Sequence, residues 1–266
     1  MPLAHIGAVS AVVPEHRVTQ DDAREYARRF FKGKLRSLQR LLPVFENADI
    51  DARYLSVPKS WFDAPKTFQE KNDTYIRVAT ELSVRAARKA LEDAGVEAKE
   101  IDQVIFVSST GFSTPSIDAR LVDALGLSPH VFRSPLWGLG CGGGAMGLSH
   151  AYRYLKGNPG QKVLLITVEL CSLTFHFQDF SKSNLIALAL FSDGVASVVL
   201  GGEESGLAPL ATIQSTRSTT WPGSLDVMGW NFLNEGMQVV FAKGIPAIVR
   251  EKARENIARF LETEGM

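Results

Sequence analysis

The most informative segment of this 266-residue chain is Trp137-Gly-Leu-Gly-Cys-Gly-Gly-Gly-Ala-Met-Gly-Leu, residues 137–148. A short apolar run, 131–137, leads into it, and a helical pattern over 142–156 follows. Cys141 is therefore predicted to lie near a helix N-terminus, where unpaired backbone N–H groups stabilise negative charge on sulfur. The flanking glycines would let a substrate approach that sulfur. This pattern makes Cys141 a candidate nucleophile that forms an acyl thioester.

Two other interpretations of this turn stay open on local pattern alone. Gly138, Gly140 and Gly143 fit the dinucleotide-binding spacing G-x-G-x-x-G. Pro135 interrupts the entering strand, however, and no clean βαβ unit with an acidic residue about 20 positions on begins here. The second alternative is a glycine-rich turn around a buried, unreactive cysteine, because free cysteine commonly packs as a small apolar residue.

The rest of the chain alternates between strand-like and helix-like segments. Short β-branched runs predict strands at 4–13, 104–108, 163–168, 196–200 and 210–216. Amphipathic spacing and end signals predict helices at 20–42, 72–94, 117–125 and 246–261, with 51–72 predicted as loop. This alternation indicates an α/β fold with a covered sheet.

Composition narrows the classes of function. Lys+Arg and Asp+Glu both total 29, so the formal net charge is zero and nucleic-acid binding is not expected. No apolar run reaches the ~20 residues of a transmembrane helix. The N-terminal Met-Pro-Leu-Ala-His-Ile has no signal-peptide pattern, and the two cysteines, Cys141 and Cys171, make no disulfide framework. These features favour a cytoplasmic protein.

Four motifs in order carry a family resemblance. They are Val-Ser-Ser-Thr-Gly-Phe-Ser-Thr-Pro-Ser from Val107, Trp-Gly-Leu-Gly-Cys-Gly-Gly-Gly-Ala from Trp137, Glu-Leu-Cys-Ser-Leu-Thr-Phe from Glu169, and Leu-Phe-Ser-Asp-Gly from Leu190. The chain resembles type III polyketide synthases of the chalcone/stilbene synthase family, and within them the bacterial alkylpyrone synthases. The resemblance implies a thiolase-like layered αβαβα sandwich of two similar halves, which works as a homodimer.

The resemblance also implies a chemistry. In such enzymes an acyl-CoA starter acylates the cysteine, and malonyl-CoA is decarboxylated to a carbanion equivalent that attacks the thioester. The extended chain then cyclises, here with an alkylpyrone expected as product. No metal and no redox cofactor are expected, because acyl-CoA and malonyl-CoA are substrates.

The resemblance also implies roles for individual residues, from their positions within the motifs. Cys141 matches the nucleophile, and Ser109 and Thr174 match positions that line the acyl and cyclisation pocket. Phe191 matches one of two gatekeeper phenylalanines between the CoA tunnel and the cavity. Cys171 follows a predicted buried strand and is expected to be structural, since an apolar setting raises a thiol pKa.

Further positions are implied outside the four motifs or at their edges. Trp230 and Val239 match pocket positions; plant members carry a second gatekeeper phenylalanine where this chain has Val239. Phe241 would share the face of Val239 on a strand. Arg40 matches a basic residue that contacts CoA phosphate, and Thr114 falls where the partner subunit reaches into the cavity.

Compared with the two-halved fold that the resemblance implies, the second half is expected to be incomplete in this sequence. Residues 1–203 are assigned to the first half, and residues 208–266 to the start of a second half. The family pairs its cysteine with a His and an Asn from the second half; neither motif is found, so the chain alone is expected to lack that pair. The alternatives are another thiolase-fold condensing enzyme, of ketoacyl synthase or hydroxymethylglutaryl-CoA synthase type, and a catalytically incomplete acyl-CoA-binding homologue.

Overall fold

The computed structural model describes residues 3–265, and within them the chain forms ten strands and nine α-helices. The strands are β1 Ala4–Val12, β2 His16–Thr19, β3 Ala52–Leu55, β4 Gln103–Ser108, β5 Phe132–Trp137, β6 Lys162–Leu170, β7 Asp193–Gly202, β8 Ala211–Ile213, β9 Met228–Leu233 and β10 Gly236–Phe241. The helices are α1 Gln20–Phe31, α2 Leu38–Leu41, α3 Val44–Asn47, α4 Phe68–Ala94, α5 Ile117–Leu125, α6 Gly143–Gly157, α7 Lys182–Leu190, α8 Ile245–Ile248 and α9 Arg254–Thr263.

A six-stranded mixed sheet organises the molecule, with strand order β5-β4-β6-β7-β1-β8. Strand β4 runs parallel to β5 and β6, whereas β7 is antiparallel to both β6 and β1. Helices α4 and α5 pack on one face of the sheet and α6 on the other, so each face buries its own apolar cluster. This helix–sheet–helix arrangement confirms the predicted α/β fold, and it explains why all six residues of β4 are buried.

Helix α4 starts earlier than predicted because a capping box defines its first turn. The Thr67 side chain accepts from the Glu70 N–H, and the Glu70 carboxylate accepts from the Thr67 N–H. Gly95, left-handed at φ 63°, ends the helix as the sequence indicates. The prediction of loop over 51–72 is therefore wrong in part: β3, the 3₁₀ turn Lys59–Asp63 and the first turn of α4 lie there.

The single helix predicted over 20–42 is also wrong. Helix α1 ends at Phe31, and Gly33 takes a left-handed conformation at φ 71° that a helix cannot continue through. The chain then forms the short helices α2 and α3, whose buried Leu38 and Phe45 join the apolar cluster of α1.

The C-terminal region departs from expectation in its details. The helix predicted over 246–261 is present as a continuous helical segment, in which a π-helical turn, Val249–Ala253, separates α8 from α9. The β9–β10 hairpin was not predicted, and the strand expected over 210–216 is reduced to β8. Among the helices within residues 3–265, none is both long and apolar enough to cross a bilayer.

Two glycines of α6 let this helix pack closely on the sheet. A Cβ on Gly143 would lie 2.6 Å from Val107 Cγ1, and one on Gly147 would lie 2.6 Å from Leu165 Cδ1. These contacts are shorter than any van der Waals separation. The glycines therefore set the depth at which α6, and the turn before it, sits against β4 and β6.

The substitution Gly147→Ala is expected to lower the free energy of unfolding by about 1–3 kcal/mol, because the added methyl overlaps Leu165 in a packed interface. Gly144→Ala is the matched control on the same helix, since its Cβ would meet only Thr167 Cγ2 at 4.0 Å. It should be neutral or stabilise by about 0.5–1 kcal/mol. Urea denaturation of both variants tests this; equal destabilisation would contradict it.

Candidate active site

The turn that carries Cys141 depends on left-handed glycines. Gly138 has φ 83° and Gly140 has φ 51°, conformations that residues with a Cβ rarely adopt. A 3₁₀ turn, Gly140–Gly142, then leads directly into α6. Cys141 is exposed at this N-terminus. Its sulfur therefore lies beside the positive end of a fifteen-residue helix, open to a ligand.

The second cysteine has a different environment. Cys171 begins the 3₁₀ turn Cys171–Thr174 after β6 and is partly buried. Desolvation raises the pKa of its thiol well above the ordinary value, and the negative charges of Asp193, Glu169 and Cys141 raise it further. Cys171 is thus held as a neutral thiol, and the two cysteines are close enough to influence each other. The sequence predicts only the apolar setting of Cys171, and the acidic neighbours are a further cause of its raised pKa.

A cavity of about 410 Å³ lies between α1, β3, α7 and the β9–β10 hairpin. Its walls include four residues predicted to line a pocket, namely Thr174, Phe191, Trp230 and Val239, together with Cys171. Further apolar and aromatic lining comes from Val18, Tyr26, Leu55, Phe62, Phe175, Ala187 and Leu188. The cavity is within the size range of ligand pockets, and its walls suit an aliphatic or aromatic group.

Aromatic rings meet at one side of this cavity. Phe191 contacts Trp230 edge-on at 6.3 Å between ring centroids and Phe241 at 5.6 Å. Val239 pairs with Trp230 across the hairpin and is buried in the wall. Phe241, two residues beyond Val239 on β10, contacts Phe191 but is not among the residues that line the cavity.

Neither Ser109 nor Cys141 is among the residues that line this cavity, and the predicted place of Ser109 in the acyl pocket stays a prediction. Its hydroxyl donates to Glu169 Oε1 at 2.7 Å, and its N–H donates to Glu169 Oε2 at 3.2 Å. Burial raises the pKa of Glu169 although Ser109 and Thr110 hydrogen-bond to its carboxylate. Ser109 satisfies a partly buried carboxyl next to the Cys171 turn, because both β4 and β6 end at this point of the sheet.

Arg40 and Thr114 do not line the cavity, and their predicted roles, a contact with CoA phosphate and a place near the partner subunit, stay predictions. Arg40 is exposed on α2, and Thr114 is exposed before Pro115. The basic residues that line the cavity are Arg29, Arg53 and Lys59, none of which was predicted.

Arg53 is buried without a carboxylate partner among the described residues. Its guanidinium donates to the carbonyls of Leu188 and Ala189 at the end of α7 and to Gln20. Burial lowers the pKa of Arg53 to about 10. Arg53 thus fixes the C-terminus of α7, immediately before Phe191, and favourable contact with helix carbonyls offsets part of its desolvation.

The aspartate of the Leu-Phe-Ser-Asp-Gly motif connects two segments of the chain next to the cavity. The buried Asp193 carboxylate accepts from the N–H and hydroxyl of Ser56, at 2.7 and 2.6 Å, and from the N–H and hydroxyl of Ser172. Burial raises the pKa of Asp193 despite these four donors. One carboxylate therefore joins the segment after β3 to the Cys171 turn.

Histidines do not pair with Cys141 in the part of the chain described. His150 is exposed on α6, and the buried His176 accepts from the Gln178 N–H through Nδ1. Neither is hydrogen-bonded to the Cys141 sulfur.

Comparisons with known proteins show the family to which this chain belongs. The family model for chalcone and stilbene synthases, N-terminal domain, matches residues 2–204. A putative chalcone synthase of Bacillus subtilis (strain 168) is 40% identical over 272 residues, covering 98% of this chain and 74% of the relative. A 1,3,6,8-tetrahydroxynaphthalene synthase of Streptomyces peucetius subsp. caesius is 36% identical over 265 residues, covering 98% and 70%.

Solved structures give the same relationship. The crystal structure of 1,3,6,8-tetrahydroxynaphthalene synthase from Streptomyces coelicolor A3(2), a bacterial type III polyketide synthase, superposes with a TM-score of 0.87 at 27% identity. The superposition covers 92% of this chain and 69% of that one.

Proposed function

Because this chain belongs to the chalcone and stilbene synthase family, the type III polyketide synthases, we propose that it extends an acyl-CoA starter with malonyl-CoA through a thioester on Cys141. The observation that carries the proposal is an exposed cysteine at the N-terminus of α6, in a turn that left-handed glycines keep open. Membership of the family implies acyl transfer. The identities of the starter, the extender and the product are what we propose here.

In each step of this chemistry the Cys141 sulfur either forms or releases the bond to the acyl group. Cys141 Sγ attacks the acyl-CoA carbonyl, and the C–S bond to CoA breaks with release of CoA thiolate. Malonyl-CoA loses CO₂, and the resulting carbanion equivalent attacks the Cys141 thioester, so a C–C bond forms and the Cys141 thiolate leaves. The positive end of the α6 dipole favours negative charge near Sγ, whereas the N–H groups of Gly142 and Gly143 already donate to the carbonyls of Leu139 and Gly140. No metal or redox cofactor enters this scheme.

An aliphatic starter and an alkylpyrone product are our proposal for specificity. The cavity of about 410 Å³ has mainly apolar walls, which favour a hydrocarbon chain over a charged group. The Streptomyces relative is a tetrahydroxynaphthalene synthase, so relatives of this chain can make a different ring system.

The substitution Phe191→Ala is expected to change the product distribution toward longer acyl starters or more extension steps. Removing this ring opens the space between Trp230 and Phe241 and enlarges the cavity. Leu210→Ala, at an exposed side chain that does not line the cavity, is the control. Mass spectrometry of products from a series of acyl-CoA starters checks the prediction; an unchanged product profile in Phe191→Ala would refute the gate.

A homodimer is also proposed, with the β5 edge as the shared surface. β5 pairs only with β4, and no strand covers its other edge within residues 3–265. Phe132 and Trp137 on this strand are exposed, and so is Thr114, the position expected near the partner subunit. An unpaired edge with apolar side chains is a surface that another copy of the chain can cover. Light scattering tests the mass in solution; a strict monomer would refute this part.

Two further functions are distinguished by their substrates. A thiolase-fold condensing enzyme of ketoacyl synthase type would prefer malonyl carried on an acyl carrier protein over malonyl-CoA, whereas a hydroxymethylglutaryl-CoA synthase type would not consume malonyl-CoA. A catalytically incomplete homologue is favoured by one observation, the lack of a histidine hydrogen bond to Cys141 in residues 3–265. That homologue would form the Cys141 acyl thioester but release no extended product when malonyl-CoA is added to the 266-residue chain.

A further inference from the structure

A buried lysine connects two segments that border the cavity. Lys71 lies in the first turns of α4 and is only 6% exposed. Its Nζ donates to the Phe175 carbonyl at 2.9 Å and, in a longer hydrogen bond, to the Glu235 carbonyl at 3.5 Å. Phe175 follows the Cys171–Thr174 turn, and Glu235 lies between β9 and β10. One ammonium group therefore contacts both the turn of Cys171 and the hairpin.

Lys71 has no carboxylate within ion-pair distance among the described residues, so backbone carbonyls and the ring of Phe177, 5.7 Å from Nζ, are what offset its charge. Burial accordingly lowers the pKa of Lys71 to about 8. A buried ammonium without a counter-ion is costly to keep. An apolar side chain of similar volume would fill the same space without the cost of burying a charge. We therefore expect the ammonium of Lys71 to have a specific structural role.

The hairpin backbone approaches Lys71 closely at Gly236. This glycine has φ 130°, and a Cβ built on it would lie 3.4 Å from Lys71 Nζ. Met237 is buried next to it, and Met237, Lys71 and Thr174 line a second, very small cavity. Thr174 also lines the large cavity. Lys71 thus lies directly behind the cavity wall.

The hairpin in turn supplies part of that wall. Trp230 on β9 and Val239 on β10 pair with each other and both line the large cavity, while Phe241 contacts Phe191. We propose that Lys71 is a positioning residue whose ammonium docks the β9–β10 hairpin against α4 and so fixes the Trp230–Val239 wall of the large cavity, which the proposed function makes the acyl site. Its effect on catalysis rests on the proposed function, whereas its effect on the hairpin does not.

The structural arm of the test is amide hydrogen exchange in Lys71→Met, which keeps the length of the side chain and removes the donor. Exchange in residues 228–241 is expected to accelerate about tenfold or more, since a hydrogen bond from a charged donor is lost, while β4 and β6 keep their protection. Lys71→Arg, which retains a charged donor, should return the hairpin toward wild-type exchange. The control is Lys89→Met on the same helix, where the exposed lysine pairs only with Asp93.

The functional arm is the rate of acyl loading of Cys141 as a function of acyl-CoA concentration. In Lys71→Met the half-saturating concentration is expected to rise about tenfold, with the maximal rate within about twofold of wild type, because the wall and not the nucleophile is displaced. Unchanged hairpin exchange, or equal acceleration in the hairpin and in β4 and β6, would overturn the proposal. Absence of any loading in the wild-type protein would refute the proposed function, and the exchange data alone would then decide whether Lys71 docks the hairpin.

Discussion

Replacing Cys141 by alanine is expected to reduce acyl loading from a radiolabelled acyl-CoA to background, a loss of about 10³-fold or more. The thiolate is the only group in the proposed mechanism that forms a bond to the acyl carbon, and no hydroxyl or amine can take its place in the glycine turn. The helix N-terminus that stabilises the sulfur remains in the variant. The measurement is label per chain after gel filtration.

Cys171→Ala is the matched control for this prediction. Cys171 lies close to Cys141, yet desolvation and neighbouring carboxylates hold it as a neutral thiol. We therefore expect Cys171→Ala to retain labelling within about threefold of wild type, since only the cavity wall changes. Equal labelling of wild type and Cys141→Ala would rule out Cys141 as the nucleophile.

The largest loss of stability is expected for Asp193→Ala, at about 3 kcal/mol or more. The Asp193 carboxylate is the common acceptor of four hydrogen bonds, from the N–H and hydroxyl groups of Ser56 and Ser172. Its removal leaves buried donors without a partner in a place that water reaches poorly. Urea denaturation followed by circular dichroism gives the free energy of unfolding.

Asp226→Ala serves as the control for Asp193, because Asp226 is an exposed aspartate. Its substitution should change the free energy of unfolding by less than about 0.5 kcal/mol. A cost for Asp193→Ala as small as that of Asp226→Ala would contradict the anchoring role assigned to the Leu-Phe-Ser-Asp-Gly motif.

The parts of the fold that the sequence predicts well are those with local signals. Helix α5 runs from Ile117 to Leu125 as predicted, because Gly126 takes the left-handed conformation that ends it. The fold as a whole is the thiolase-like fold of type III polyketide synthases, which the four ordered motifs imply. The start of α4 was missed because its capping box follows a proline-containing segment that reads as loop.

Other parts depend on contacts between distant segments. Arg53 and Tyr26 reach the cavity only because α1 and β3 pack against α7, more than 120 residues further along the chain, and no motif marks them. The β9–β10 hairpin depends on docking to Lys71 and α7, so its own sequence gives a weak signal. The hydrogen bond from Ser109 to Glu169 likewise joins residues 60 positions apart, and the motif of Ser109 does not reveal it.

The most direct test of the central claim is the site of acylation in the wild-type chain. After incubation with a medium-chain acyl-CoA, intact-mass measurement and peptide mapping should find one acyl group per chain, on the peptide that contains Cys141. Hydroxylamine should release it, as expected of a thioester. An acyl group on Cys171 or another residue, or no acyl group under conditions where the protein is folded, would contradict the account.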